Sequence, residues 1–328
     1  MSPHFTPHSR PGKGAEDRPL RAEFIFTDAP FAAAHASTIA ESRGALVAAW
    51  FGGPYEGHPE GGIWLARREA QHWSAPVEIA RGHDRRGRRS PCWNPVLFQP
   101  RAGPLLLFYK VGPSPRRWWG MLARSSDGGR SWSAPERLPH GILGPIKNKP
   151  VELPDGTLLC PSSTEKLFWR CHLERMRGHG ASWQKIPLRA ARTRGSIQPS
   201  ILCHPDGAMQ ILCRSKGGAI TSCRCTDGLR WERMRPLDLP NPDSGIDAVA
   251  LADGRALLVY NHTRRGRTPL NLALSSDGLH WQPSRVLEDA PGEYSYPAVI
   301  QAADRRIHIT YTWQRRRIRH VELEPGEL

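Results

Sequence analysis

No apolar run in this 328-residue chain approaches the roughly 18 residues that a membrane-crossing helix needs, so no membrane partner is expected. Residues 1–21 hold no apolar signal core; they are polar, with Pro, His, Lys and Arg, and read as a disordered N-terminal segment. Secretion is therefore not indicated, and the expected compartment is the cytoplasm. Cysteine is sparse and odd in number: seven residues, at 92, 160, 171, 203, 213, 223 and 225. Several sit in strand-like runs such as Ile201-Leu202-Cys203, which suits buried thiols of a reducing compartment better than a disulfide framework. Cys223 and Cys225 would share one face of a strand, but no second Cys/His pair at ligand spacing accompanies them, so neither metal nor cofactor is expected. Lysine is also scarce, seven of the 46 basic residues, and the net charge of +15 comes from arginine. Basic runs occur at Arg85-Arg86-Gly87-Arg88-Arg89 and Gln314-Arg315-Arg316-Arg317 without any RNA- or DNA-binding signature. Nucleic acid is not expected; the positive field suits an acidic ligand.

What the chain does have is turns, with 31 Gly and 31 Pro. The most informative is Ser125-Ser126-Asp127-Gly128-Gly129-Arg130-Ser131-Trp132. Here an Asp can accept hydrogen bonds from turn N–H groups, glycine supplies positive φ, and a Trp follows that can plug the gap between sheets. The wording returns at Ser275-Ser276-Asp277-Gly278-Leu279-His280-Trp281 and Thr226-Asp227-Gly228-Leu229-Arg230-Trp231, and in worn form ahead of Trp183 and Trp73. The tryptophans at 73, 132, 183, 231 and 281 are 59, 51, 48 and 50 residues apart. A period near fifty built from short strands marks a propeller blade.

Counting from that period, blades open at residues 35–40, 93–98, 147–151, 197–201, 246–249 and 294–297, with further hairpin turns at Pro154-Asp155-Gly156, Pro205-Asp206-Gly207 and Ala252-Asp253-Gly254. The sixth blade runs out of chain after three strands. An orphan strand at 23–27 can supply the fourth and close the ring, leaving no exposed sheet edge. The expectation is an all-β, six-bladed β-propeller formed by residues 22–328 as one domain.

The repeated Ser-x-Asp-x-Gly-x-x-Trp turn resembles the Asp-box, or bacterial neuraminidase repeat, and with six blades the chain is similar to the sialidase superfamily from about residue 22 onward. The Asp-box is structural and supports fold rather than activity. The resemblance implies a terminal carboxylate-bearing sugar as substrate, held by arginines because a planar guanidinium meets a carboxylate bidentately. It places Arg214 on the second strand of blade four and Arg267 in blade five as clamp residues, and Tyr294 of Tyr294-Ser295 as nucleophile. A neutral phenol suits a substrate whose own carboxylate would repel a carboxylate nucleophile. Glu56, His58 and Glu60 lie where the family carries its acid/base, with no choice among them. Two positions depart from the pattern. His35-Ala36-Ser37 stands where the family has Arg-Ile-Pro, so His35 takes the place of an arginine. Gln198 stands where a glutamate activates the tyrosine, and an amide is no base; Glu293 or Asp247 could substitute. Lys110, Lys147 and Lys149, with Asn94, fall at strand ends that would line the funnel, giving a cationic central pocket. Trp118-Trp119 could stack on a sugar or seal a gap between blades.

The leading expectation is therefore a sialidase-like exo-glycosidase acting on an acidic carbohydrate. A His35/Tyr294 pair would instead suit β-elimination from a uronic acid, in a lyase or a rhamnosyl-glucuronidase, with the cationic clamp acidifying the C5 proton. A non-catalytic glycan- or protein-binding propeller is the third reading.

Overall fold

The computed structural model describes residues 20–189, 192, 195–226 and 230–328. Residues 1–19 of the expected disordered segment 1–21 and the turn residues Asp227, Gly228 and Leu229 lie outside the described residues, and Arg21, expected to be disordered, instead opens a strand that pairs with Glu322.

Six antiparallel sheets follow one another along the chain, each built as a meander from first strand to fourth. The first strands are Ala33–Ser42, Cys92–Phe98, Val151–Glu152, Ser196–Cys203, Asp247–Ala250 and Tyr294–Gln301. They pack against one another round a central axis, which is the geometry of a six-bladed β-propeller. Blade one carries a short extra strand, His72–Trp73, beside its outer strand Val77–Arg81. Blade six draws its fourth strand from the N-terminus: Arg21–Phe24 pairs antiparallel with Arg317–Leu323, so the ring closes as the sequence suggests. Glu23 ties this closure with its carboxylate, which meets His320 at 3.1 Å, Arg68 at 3.1 Å and the Trp73 indole N–H at 3.2 Å.

The repeated turns do what their composition requires. Asp127 Oδ1 accepts the N–H groups of Arg130 (3.0 Å) and Ser131 (2.9 Å), and Gly129 donates its N–H to Ser125 Oγ at 2.7 Å with φ at 89°. The hydrogen bonds from Ser131 and neighbouring groups hold the Asp127 carboxyl well below the usual range. The tryptophans that follow are plugs. Trp132 packs into a cluster shared by blades one and two, Trp183 between blades two and three, Trp231 between three and four, and Trp281 between four and five. The repeat at this spacing therefore seals these four of the six seams with one large apolar side chain each.

Four first strands share an irregularity. Register shifts fall between His35 and Thr38, Trp93 and Val96, Ile197 and Ser200, and Ser295 and Ala298. Within each bulge one non-glycine residue takes positive φ: Ala36 (55°), Asn94 (38°), Gln198 (53°) and Tyr296 (54°). A bulge re-aims the side chains that follow it, and left-handed backbone at non-glycine residues costs on the order of 1 kcal/mol each. All four lie near the starts of their strands, on the face that also bears the loops between second and third strands.

Candidate active site

Tyr296 sits at the centre of that face. Its hydroxyl accepts a hydrogen bond from Arg214 Nη1 at 2.9 Å, and the Gln198 amide Nε2 lies 3.4 Å away. Its ring is flanked by the His35 imidazole (centroids 4.3 Å apart) and by Arg267, Arg214 and Lys147 at 5.6, 5.8 and 5.9 Å from its centroid. Tyr294, two residues earlier, is buried in the apolar seam of blades five and six beside Trp313, and its hydroxyl meets only the Gln314 amide Nε2, at 3.4 Å, among the hydrogen bonds described. The bulge at 295–298 brings Tyr296, rather than Tyr294, against Arg214, Arg267 and His35.

Arg214, on the second strand of blade four (Met209–Ser215), is buried and fixed on several sides. Its guanidinium donates to Asp243 Oδ1 (2.9 Å), to the Asp243 carbonyl and to Gln198 Oε1 (3.2 Å), and it lies over the Trp169 ring at 5.5 Å. Arg267, before the third strand of blade five, donates to Glu293 Oε1 at 2.7 Å and Ser295 Oγ at 3.3 Å. The same Glu293 oxygen accepts Arg315 Nε at 2.8 Å, and Arg315 also pairs with Glu56. Burial pushes the half-buried Glu293 carboxyl up, but the two arginines more than offset this and hold it below its ordinary range. Arg315 rides on a tight turn in which Gln314 and Arg315 both take φ of 54°, and its carbonyl accepts the Ala34 N–H of blade one at 2.9 Å. Arg214 and Arg267, from blades four and five, thus contact Tyr296, and Arg315 of blade six joins Arg267 through their shared Glu293 oxygen. Arg315 was not singled out from the sequence, where it was one residue of a basic run.

His35 is buried, and burial, followed by Arg315, Arg267, Arg214 and Lys147, drives its pKa well below that of an ordinary histidine. It is neutral at physiological pH and cannot substitute for an arginine's charge; Arg315 supplies the third cation. His35 Nδ1 is buried and has no hydrogen-bond partner among the described residues.

The lysines are bound into the walls. Lys147 Nζ donates to Asn148 Oδ1 (2.8 Å), to the Ile246 carbonyl (2.9 Å) and to the Pro297 carbonyl, joining blades three, five and six beneath Tyr296; burial pulls its pKa down to about 7. Lys149 pairs with the buried Asp247 at 2.9 Å, and Asp247 also accepts Ser200 Oγ (2.8 Å) and the Val299 N–H (2.9 Å). Lys110 is fully buried, donates to the Pro145 carbonyl away from the Tyr296 group, and is likewise pulled to about 7 by burial. Asn94 bonds the Ile146 carbonyl at 3.2 Å. In the 53–62 loop, Glu56 reaches the arginine group through Arg315, whereas His58 packs edge-on against Tyr55 and accepts the Glu60 N–H at 3.1 Å. Trp118 meets Trp93 edge-on, and Arg137 covers Trp119 at 4.5 Å. Among the described residues no three His, Cys, Asp or Glu side chains come together as a metal site, and Cys223 packs in the apolar seam of blades three and four.

Tyr296 was legible in one respect. Trp93-Asn94-Pro95, Ile197-Gln198-Pro199 and Ser295-Tyr296-Pro297 repeat an x-polar-Pro pattern at the openings of blades two, four and six, which aligns Tyr296 with Gln198.

Comparison with known proteins agrees with this architecture. Residues 44–309 match the BNR repeat-like domain. No curated protein sequence matches the chain. Among solved structures, the Hadza microbial sialidase Hz136 superposes with a TM-score of 0.76 at 18% identity, over 90% of this chain and 66% of that one. A protein of unknown function from Dyadobacter fermentans gives 0.76 at 18% identity over 94% and 98% of the two chains. The NanB sialidase of Streptococcus pneumoniae gives 0.75 at 12% identity over 95% and 71%. The chain thus spans just under two thirds of the first of these proteins. Identities this low establish a shared fold.

Proposed function

The chain belongs to the family of BNR repeat-like domains, and from that premise we propose that it is an exo-glycosidase acting on a terminal, carboxylate-bearing sugar. The observation that carries the reading is a linked arginine group at one tyrosine: Arg214 bonds the Tyr296 hydroxyl, Arg267 lies over its ring, and Arg315 shares a Glu293 oxygen with Arg267. Guanidinium forks suit a carboxylate, and a substrate carboxylate would displace Glu293 from Arg267 and Arg315. Beside such a group a phenol is a better nucleophile than a carboxylate, which like-charge repulsion would hold off.

In this reading the Tyr296 oxygen attacks the anomeric carbon as the glycosidic C–O bond breaks. Glu56, released from its ion pair as the substrate carboxylate takes the Arg315 guanidinium, picks up a proton and gives it to the departing oxygen. The phenolic proton is lost to water, because Gln198 has no basic atom and burial with four neighbouring cations leaves His35 a weak base. Arg214 donates to the oxygen on which charge develops. Water then cleaves the tyrosyl–sugar bond: its oxygen joins the anomeric carbon, Glu56 takes the proton it releases, and the departing Tyr296 oxygen regains a proton from water. Sialic acid and related ulosonic or uronic acids all present the required carboxylate.

The test is hydrolysis of aryl glycosides of sialic and uronic acids beside their methyl esters and a neutral hexoside. Turnover of the free acids alone is expected, with Arg267→Ala raising KM about 10- to 100-fold, the range of a lost charge-assisted hydrogen bond. Equal turnover of acid and ester, or an unchanged KM in Arg267→Ala, would overturn the reading.

A second reading rests on the 4.3 Å His35–Tyr296 contact and the missing carboxylate base. The same pair suits β-elimination from a uronic acid, one group removing the C5 proton and the other protonating the leaving oxygen. Its product carries a conjugated double bond and absorbs ultraviolet light, whereas hydrolysis yields a reducing acid without that absorbance.

A further inference from the structure

Beside the Tyr296 group, between blades two and three, lies a groove of about 300 Å³. Its walls are the loop at 115–118, the connection at 137–143 and the hairpin formed by Leu158–Glu165 and Trp169–Arg177. The hairpin couples the groove to the centre. Glu165 lines the groove, while Trp169, its partner across the hairpin, lies over Arg214 at 5.5 Å. The 115–118 loop and this hairpin both join second to third strands, as do the segments bearing Glu56, Arg267 and Arg315, so all open on one face of the propeller.

The groove is basic and aromatic. Arg116, Arg117, Arg137, Lys166 and Lys185 line it, and none forms an ion pair with a carboxylate among the described residues, although many of the chain's other arginines do. Burial pulls the Lys185 pKa down, the Glu174 carboxylate opposes it, and Lys166 adds to the fall. The one acid on the walls, Glu165, is pushed up by burial and forms no ion pair with these cations among the described residues. Trp118 supplies an aromatic surface on which a sugar ring can lie, while the Trp119 ring is covered by Arg137. On the outer side of the hairpin a second cavity, of about 380 Å³, shares Thr164 and Lys185 and adds Arg170 and Arg189, extending the positive path.

We propose that this groove receives the sugar on the leaving-group side of the scissile bond and selects one bearing a second anionic group, a carboxylate or a sulfate ester. The preferred substrate is then an acidic oligosaccharide rather than a single acidic sugar on a neutral carrier. The proposal rests on the exo-glycosidase reading for its direction along the chain, but the groove's affinity can be measured without turnover.

Calorimetric titration of the full chain with tetragalacturonate, a sulfated galactan tetrasaccharide, maltotetraose and galacturonate separates the possibilities. Wild type is expected to bind one or both acidic tetramers and not maltotetraose, and the tighter acidic tetramer identifies the anion preferred. Arg116→Gln/Arg117→Gln and, independently, Lys166→Gln/Lys185→Gln should each weaken that tetramer about tenfold or more while leaving galacturonate unchanged. These positions are on the surface, and unchanged melting temperatures will show that both variants are folded. No binding of either acidic tetramer, equal affinity for maltotetraose, or variants that bind as wild type would overturn the proposal. Loss of the central clamp reading reads out differently: galacturonate and acidic aryl glycosides would fail on wild type, while the groove variants would still weaken the tetramer.

Discussion

Removing one oxygen separates the two tyrosines of blade six. Tyr296→Phe deletes the hydroxyl that takes the 2.9 Å bond from Arg214 and lies 3.4 Å from Gln198, and leaves the ring against His35. Arg214 keeps Asp243 Oδ1, the Asp243 carbonyl and Gln198 Oε1, so no charge is stranded. The expected stability loss is about 1 kcal/mol, roughly 2–4 °C in Tm. If Tyr296 forms the bond to the sugar, kcat falls by on the order of 10³ or more with KM little changed, since the clamp is intact. Tyr294→Phe is the control. Its hydroxyl meets only the Gln314 amide at 3.4 Å among the described hydrogen bonds, so both stability and kcat should stay near wild type, kcat within about threefold. The assay is steady-state release from an acidic aryl glycoside, with intact-mass detection of a sugar adduct from a slow fluorinated analogue mapped to its peptide. A Tyr296→Phe enzyme within tenfold of wild type, or the reverse ranking of the two variants, would refute the reasoning.

Three other perturbations test neighbouring parts of the argument. Gln198→Glu places a carboxylate 3–4 Å from the Tyr296 oxygen with almost no change of shape; kcat should rise about tenfold, and a fall would show that proton removal from Tyr296 does not limit the rate. Lys147 has its pKa lowered from 10.5 to about 7 by burial, so between those values the unfolded chain binds the extra proton and stability rises with pH, by at most ~1.4 kcal/mol per pH unit for this one group. Lys147→Met should flatten that rise in urea melts between pH 7 and 9, and an unaltered slope would mean that the lysine does not titrate there. Deleting residues 1–26 bares the edge of the Arg317–Leu323 strand and removes the ion pairs of Glu23, so the truncated chain should melt lower and self-associate in light scattering, while a monomer of unchanged Tm would show that closure contributes little.

The site was legible in unequal parts. Arg214 and Arg267 follow from the family resemblance, carried onto the blades that the repeat assigns. Tyr296 and Arg315 do not. Strict alternation gives Tyr294 and Tyr296 the same face, and only the register shift between Ser295 and Ala298, with φ of 54° at Tyr296, turns the second ring toward Arg214. Arg315 is one of three consecutive arginines, and its place beside Arg267 depends on Glu293, 22 residues away in sequence. Lys110, Lys147 and Lys149 stand out in a lysine-poor sequence, but their charges serve carbonyls and Asp247 inside the ring.

By itself the sequence determined the turns, the blade count and the closing strand. Asp-box hydrogen bonds span only a few residues, and a tryptophan every fifty or so residues seals one seam, so both are written in local spacing. The tertiary structure alone decided which tyrosine meets the arginines, which cations stay unpaired and which groove adjoins them. Those depend on bulges that override alternation and on carboxylates brought in from other blades, and nothing in the linear order of residues encodes either distance.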